Sequence, residues 1–204
     1  MWECINGISN ENTPVILFGS GIFSAKVILS NTRQYRYTLI WDKQRKTGFL
    51  NANKMPLRRH EDILVFYDKL PTYNPQMVKC LPHQKNHSRG YGEQATNRCY
   101  GDFKNLNSEI TDYKFPASII EIPKGNTFTL HPTQKPVALL EYLIRTYTNE
   151  GETVLDFTAG SGTTGVAAMN TNRKAVLIER EQKYIDITIQ RLRAKEDDLA
   201  QRLF

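Results

Sequence analysis

Thr153-Val154-Leu155-Asp156-Phe157-Thr158-Ala159-Gly160-Ser161-Gly162-Thr163-Thr164-Gly165 joins an apolar run to a glycine-rich turn and the start of a helix. Thr153 to Phe157 is an apolar run of strand length, and the glycines that follow have G-x-G-x-x-G spacing before a helix that begins near Thr163. Glycine permits positive φ and close approach of a ligand to the backbone, and a helix starting directly behind the turn offers free N–H groups. The next apolar run, KAVLIERE, carries Glu179 nineteen residues beyond Gly160, where a carboxylate can accept from ribose hydroxyls. Together these are the parts of a nucleoside cofactor site. Taken alone they suit a nicotinamide or flavin dinucleotide as readily as S-adenosylmethionine. A Walker phosphate loop is excluded, because no lysine follows the glycines.

Upstream of this stretch, His131-Pro132-Thr133-Gln134-Lys135-Pro136 leads into a segment where Val137, Leu140, Ile144 and Tyr147 recur at helical spacing, with Pro136 suited to a first turn. The last twenty or so residues, from Lys183, read as a closing helix that becomes highly charged. Nearer the N-terminus, Pro14 to Ser20 reads as a buried strand and turn, and Ile22 to Leu29 as a helix. Arg36 to Lys43 and His60 to Lys69 are strands on their β-branched and aromatic content, joined by a basic loop with Gly48 and Pro56. Between Pro71 and Gly125 periodicity fades, and Phe115 to Ile122 offers one short strand. A loop-rich stretch of that length within a domain points to a function. The alternation of strands and helices predicts an α/β domain over residues 1–204, with a largely parallel sheet covered on both faces and an insert at 71–125.

The 204 residues suffice for one sizeable core, and 40% hydrophobic with 24% charged residues excludes a disordered or fibrous class. No apolar run approaches membrane-spanning length and no signal peptide precedes the first strand, so a cytoplasmic protein without a membrane partner is expected. Cys4, Cys80 and Cys99 have no C-x-x-C spacing and fit a reducing compartment. Cys80, His83, His87 and Cys99 are of zinc-ligand type, but the reading adopted is a polar loop without metal. The net charge of +6 is unevenly spread: residues 33–59 hold Arg33, Arg36, Lys43, Arg45, Lys46, Lys54, Arg58 and Arg59 against Asp42 alone. Such a run neutralises phosphates if it lies on one face, although a solvated basic surface has the same composition.

The pair of motifs separates the cofactor alternatives. His131 to Pro136 followed by Val154 to Thr164 resembles motif X and then motif I of the amino-methyltransferases that act on exocyclic amines of DNA bases, in the order of their β group. Leu39-Ile40-Trp41-Asp42-Lys43 is similar to the family's strand ending in Trp-x-Lys, and Pro56 to Tyr67 to the stretch that follows it in phage and restriction-associated members. Residues 71–125 then stand where the family keeps its target-recognition region. The resemblance implies a Rossmann-like S-adenosylmethionine-dependent methyltransferase fold and methylation of adenine N6, or cytosine N4, in double-stranded DNA. It implies cofactor contacts from Asp156, Phe157, Ala159, Gly160, Ser161, Gly162, Thr163, Thr164 and Glu179, with Thr133, Gln134 and Lys135 flanking the cofactor. An inactive cofactor- or DNA-binding remnant and a dinucleotide-dependent oxidoreductase are the competing readings; His131 to Pro136 and the basic insert disfavour the second.

One family feature is absent. Members orient the target amine with Asp, Asn or Ser, then Pro-Pro and an aromatic residue; this chain has nine prolines and no adjacent pair. The resemblance therefore assigns no catalytic residue here, and the orientation component of catalysis is missing from these residues. In the β group that tetrapeptide precedes a helix matching Met1 to Ile8, so the expectation is a late start, a truncation or a split protein. The family's sheet order, 3-2-1-4-5-7-6, would then lack strands 3 and 4, leaving an incomplete sheet with unpaired edges at Val15 and Val154. A complementing N-terminal segment or a second copy of the chain is the partner this implies.

Overall fold

Helices α1 (Trp2–Ile8) and α2 (Ile22–Ser30) flank strand β1 (Val15–Gly19), and strands β2 (Tyr35–Thr47) and β3 (Arg58–Phe66) form a long hairpin. The computed structural model describes residues 1–80, 112–125 and 130–201. Next come β4 (Val78–Lys79), β5 (Tyr113–Lys114), β6 (Ile119–Glu121), α3 (Val137–Tyr147), β7 (Thr153–Asp156), α4 (Thr163–Asn170), β8 (Lys174–Leu177) and α5 (Gln182–Gln201). The chain divides into two compact units, one of Met1–Asn74 with Ala117–Phe204 and one of Pro75–Pro116. Within the second, β4 and β5 form a two-residue antiparallel ladder that Cys80 N–H extends to Asp112 O at 2.7 Å. His83, His87 and Cys99 lie outside the described residues; among those described, no group of His, Cys, Asp or Glu is placed to hold a metal.

The strand expected at Phe115 to Ile122 is shorter, because Pro116 lacks a ladder donor and separates β5 from β6. The largely parallel sheet is also corrected. The main unit contains a four-stranded sheet in the order β1-β3-β2-β6 and a separate β7-β8 pair. β3 is antiparallel to both neighbours, whereas β2 with β6 and β7 with β8 are parallel. No crossover helix separates β2 from β3, and a direct hairpin can only pair antiparallel. Among the described residues β1 ladders only with β3, and β7 only with β8.

α3 links the two groups. Leu139, Leu143 and Tyr147 bury against Trp41, Ile63, Val65 and Ile120 of the four-stranded sheet. Ile144, Val137 and Leu140 pack against Ala167 and Ala168 of α4 and Val154 of β7. The helix thus buries two faces rather than the single stripe its sequence shows, and a fully buried side chain such as Leu139 contributes about 1.5–3 kcal/mol. Tyr147 keeps its hydroxyl satisfied 2.9 Å from that of Tyr37.

Candidate cofactor site

β7 delivers Asp156 to the start of the glycine turn. Its Oδ1 accepts from Thr158 N at 3.0 Å, and its Oδ2 accepts from the hydroxyl of Thr164, in the first turn of α4. One carboxylate therefore ties the strand end to both the turn and the helix behind it. The parallel pairing continues past the strands, with Ile178 N donating to Asp156 O at 2.8 Å and Ala159 N to Ile178 O at 3.0 Å. That extension carries Glu179 beneath the turn. Glu179 Oε2 accepts from Gly160 N at 2.8 Å, and Oε1 accepts from Arg180 N at 2.9 Å and Glu181 N at 3.0 Å. The Glu181 amide, helped by those of Gly160 and Arg180, outweighs desolvation and holds the Glu179 carboxyl below the usual glutamate range.

The glycines are used as the sequence implies. Gly160 and Gly162 have φ of +53° and +74°. A Cβ at 162 would stand 2.5 Å from Thr188 Cγ2, and one at 165 would stand 2.7 Å from Leu177 Cδ1, so the turn packs down on β8 and α5. Ser161, Thr163 and Thr164 are buried. Beneath them, Arg191 of α5 donates to Ser161 O, to Ser161 Oγ at 3.1 Å and to Thr163 Oγ1 at 3.2 Å. Thr188 Oγ1 donates to Gly160 O at 3.1 Å. Sequence reasoning missed Thr188 and Arg191; their signal was polar side chains one turn apart on the otherwise apolar side of the closing helix. Phe157 and Leu155 stay partly exposed, at 39% and 38%.

Thr133, Gln134 and Lys135 divide. Gln134 Oε1 accepts from Ser161 Oγ and Leu130 N, both at 3.0 Å, so Gln134 joins the glycine turn. Thr133 binds back to the ring of His131, which lies edge-on to Tyr184 at 4.3 Å and within 3.3 Å of where a Gly160 Cβ would be. Lys135 turns the other way. Its ammonium sits 3.0 Å from Glu61 Oε2 and 4.9 Å from the centre of the Phe18 ring. Glu61 also takes the buried Lys43 at 3.4 Å. Burial raises the Glu61 carboxyl, but the two ammonium groups, Lys135 first, win and hold it below the usual range. Glu61 and this charge triad were not foreseen. A shallow pocket lined by Asn10, Val15, Arg33 and Asp68 lies at the start of β1, the opposite end of the strand from Phe18, and takes no part here.

The residues present suit a nucleoside cofactor. A carboxylate oxygen has about two lone-pair sites, so Glu179 with three bonds retains capacity for one ribose hydroxyl. A second needs release of one of these three N–H groups.

A Rossmann-like α/β domain with a glycine turn, an acidic strand end and a flanking glutamine has the fold of the S-adenosylmethionine-dependent methyltransferases. A solved M1.HpyAVI–SAM complex has this fold, with a TM-score of 0.59 and 24% identity over 91% of this chain and 76% of that one. The chain belongs to the DNA methylase family of N6 and N4 methyltransferases, whose model matches residues 4–190. It is 46% identical over 67 residues to the Type II methyltransferase M2.DpnII of Streptococcus pneumoniae, covering 33% of this chain and 25% of that protein. It is 38% identical over 93 residues to the DNA adenine methyltransferase YhdJ of Escherichia coli (strain K12), covering 44% and 32%. The matched stretches thus span a third or less of these curated relatives.

Proposed function

We propose that this chain holds the cofactor and recognises the target in a methyltransferase that moves a methyl group from S-adenosylmethionine to adenine N6, or to cytosine N4, of double-stranded DNA. The observation that carries this is the joining of Gln134 to Ser161 above a glycine turn whose Gly160 N–H lies on Glu179. Bound there, the cofactor supplies an electrophilic methyl on a sulfonium. Glu179 would take the ribose, the backbone of Ala159 to Gly162 would face the nucleoside, and Asp156, Phe157, Thr163 and Thr164 would hold the remainder of the cofactor or its surroundings. Thr133 and Gln134 close the site from the side. Lys135, engaged by Glu61, acts on the cofactor through the segment it anchors. The one reported relative named as a DNA adenine methyltransferase, YhdJ, supports reading adenine N6 ahead of cytosine N4.

Residues 75–116, with the flanks reaching 71 and 125, serve as target-recognition insert in this reading, and the basic run at 33–59 neutralises phosphate. No adjacent proline pair exists to aim the amine, so residues 1–204 alone transfer no methyl group at a measurable rate. The group that orients the base arrives on a complementing segment that pairs with the edges of β1 and β7 that carry no ladder among the described residues.

Calorimetry with S-adenosylmethionine, S-adenosylhomocysteine and NAD tests the cofactor. Binding of the first two, weakened in Glu179→Ala by about 1.5–3 kcal/mol for loss of a charged acceptor, is the expected result. Equal affinity in mutant and parent removes Glu179 from the site, and preference for NAD overturns the methyltransferase reading. Transfer of tritiated methyl by residues 1–204 at the rate of a form supplied with a Pro-Pro-bearing segment overturns the complementation.

A further inference from the structure

The β2–β3 hairpin reaches beyond the sheet it belongs to. Gly19, the last residue of β1, stands opposite Asp62, and Glu121, the last of β6, stands opposite Asp42. Past these positions β2 runs on to Thr47, and β3 comes back from Arg58. At about 3.3 Å per residue the arm projects roughly 10 Å further than Glu61 before the turn begins. Below the arm Glu61 binds Lys135, whose neighbour Gln134 binds Ser161, so the base of the arm is linked to the glycine turn by two consecutive side chains.

The arm is braced rather than slack. The ladder is interrupted between Asp42 and Thr47, with Gln44 at φ +52°. There Asp42 accepts from Gln44 N at 2.8 Å and pairs with Arg59 at 2.7 Å. Such bulges bend a strand and re-aim the residues beyond the bend. At the tip, Asn51 N, Ala52 N, Lys54 N and Met55 N donate to Gly48 O, Phe49 O, Asn51 O and Asn51 O at 2.9–3.0 Å, which makes an ordered turn.

The ordered turn displays apolar side chains. Phe49, Leu50 and Met55 are 77%, 81% and 59% exposed. From Lys43 to Arg59 there are six cations and no carboxylate, and Lys46 and Lys54 flank the apolar pair without an ion pair among the described residues. Apolar wedges with flanking cations are the chemistry by which proteins enter a groove and part a base step.

We propose that this tip is a DNA-binding element separate from the 75–116 unit, in which Phe49 and Leu50 press into a groove of the duplex while Lys46 and Lys54 hold the adjoining phosphates. It rests on the DNA reading above and deepens it. Charge selects the occupant: a second copy of this arm would bring Lys46 and Lys54 against like charge, whereas a duplex supplies the opposite sign.

Fluorescence anisotropy with a labelled duplex, repeated across salt concentrations, tests the tip in the purified protein. Phe49→Ser with Leu50→Ser should bind about tenfold more weakly at every salt concentration, as loss of an aromatic face on a base does. Lys46→Gln with Lys54→Gln should lower the slope of log affinity against log salt by about 2. Phe49→Trp should show quenched tryptophan emission on binding. Both serine positions are exposed, so an unchanged melting curve confirms that folding is intact. Parent-like affinity in the serine variant, with no quenching in Phe49→Trp, overturns the wedge and leaves the DNA reading standing. A parent protein that binds no duplex overturns both. Loss of a dimer in sedimentation with DNA affinity unchanged assigns the tip to self-contact and overturns the proposal.

Discussion

Gly162→Ala tests the turn where two independent costs coincide. Gly162 has φ of +74°, and the left-handed region costs an alanine about 1–2 kcal/mol. The new Cβ would lie 2.5 Å from Cγ2 and 2.8 Å from Oγ1 of Thr188. Thr188 is buried and its hydroxyl holds Gly160 O, so it does not swing aside without giving up that bond. Overpacking of this kind adds about 1–3 kcal/mol. The total is about 2–5 kcal/mol, which at roughly 2–4 °C per kcal/mol for a domain of this size lowers the melting temperature by about 4–20 °C. Gly151→Ala supplies the control, because its φ is +81° but nothing lies within 4 Å of the added Cβ. Only the backbone cost applies there. Thr188→Ser removes the nearer clashing atom while keeping the hydroxyl, so in the Gly162→Ala background it should restore about 1 kcal/mol. Differential scanning calorimetry of the four proteins decides the matter. Equal melting of the two alanine variants refutes the steric argument, and a further loss on adding Thr188→Ser shows that Thr188 is not the obstacle.

Glu61→Gln leaves Lys43 buried without its counter-charge and should destabilise the protein by about 3 kcal/mol in urea unfolding; a loss below about 1 kcal/mol would mean that Lys43 finds another partner. Glu179 has a depressed carboxyl, so its contribution to the turn is complete above the ordinary glutamate range and is lost as pH falls through the lower folded value. Cofactor affinity measured by calorimetry should take that course, and affinity that rises on acidification contradicts it. Arg191→Lys replaces a guanidinium that serves three oxygens with a single ammonium, at about 1.5–3 kcal/mol for the charged bonds lost. Hydrogen exchange at the amides of residues 160–163 should quicken, and unchanged protection there makes Arg191 a bystander.

Local signals were legible where the chain obeys a period or a turn rule. The apolar run at Thr153, the glycines, the helix start at Thr163 and the helix after Pro136 could be read because each depends on residues within one or two turns of itself. The strand at Phe115 to Ile122 was overread, since the apolar run continues through Pro116 while the hydrogen bonding does not. The direction of β3 was available in principle: ten residues between Thr47 and Arg58, with Gly48 and Pro56 among them, leave no room for a crossover helix. The second buried face of α3 was hidden because Leu139 and Leu143 sit beside the Leu140 stripe. A helix packed on two sides widens its apolar arc instead of sharpening it.

The features that the sequence concealed are non-local. Gln134 and Lys135 are adjacent and polar, and nothing in their neighbourhood says that one reaches Ser161 and the other Glu61. A motif reading assigns both to the cofactor, because family patterns record which residues occur together and not which way each side chain turns. The structure makes the division consequential. β1 and β7 share no ladder among the described residues, so within the main unit the two groups of strands are joined through α3 and this dipeptide rather than through a continuous sheet. Side-chain packing on α3 supplies the energy of that join, since it buries Leu139, Leu143 and Ile144 on both flanks. The dipeptide supplies its register, because a hydrogen bond on one side and an ion pair on the other fix the glycine turn relative to Glu61. The same linkage ties the hairpin that carries the proposed DNA-binding tip to the turn proposed to hold the cofactor, through two consecutive side chains.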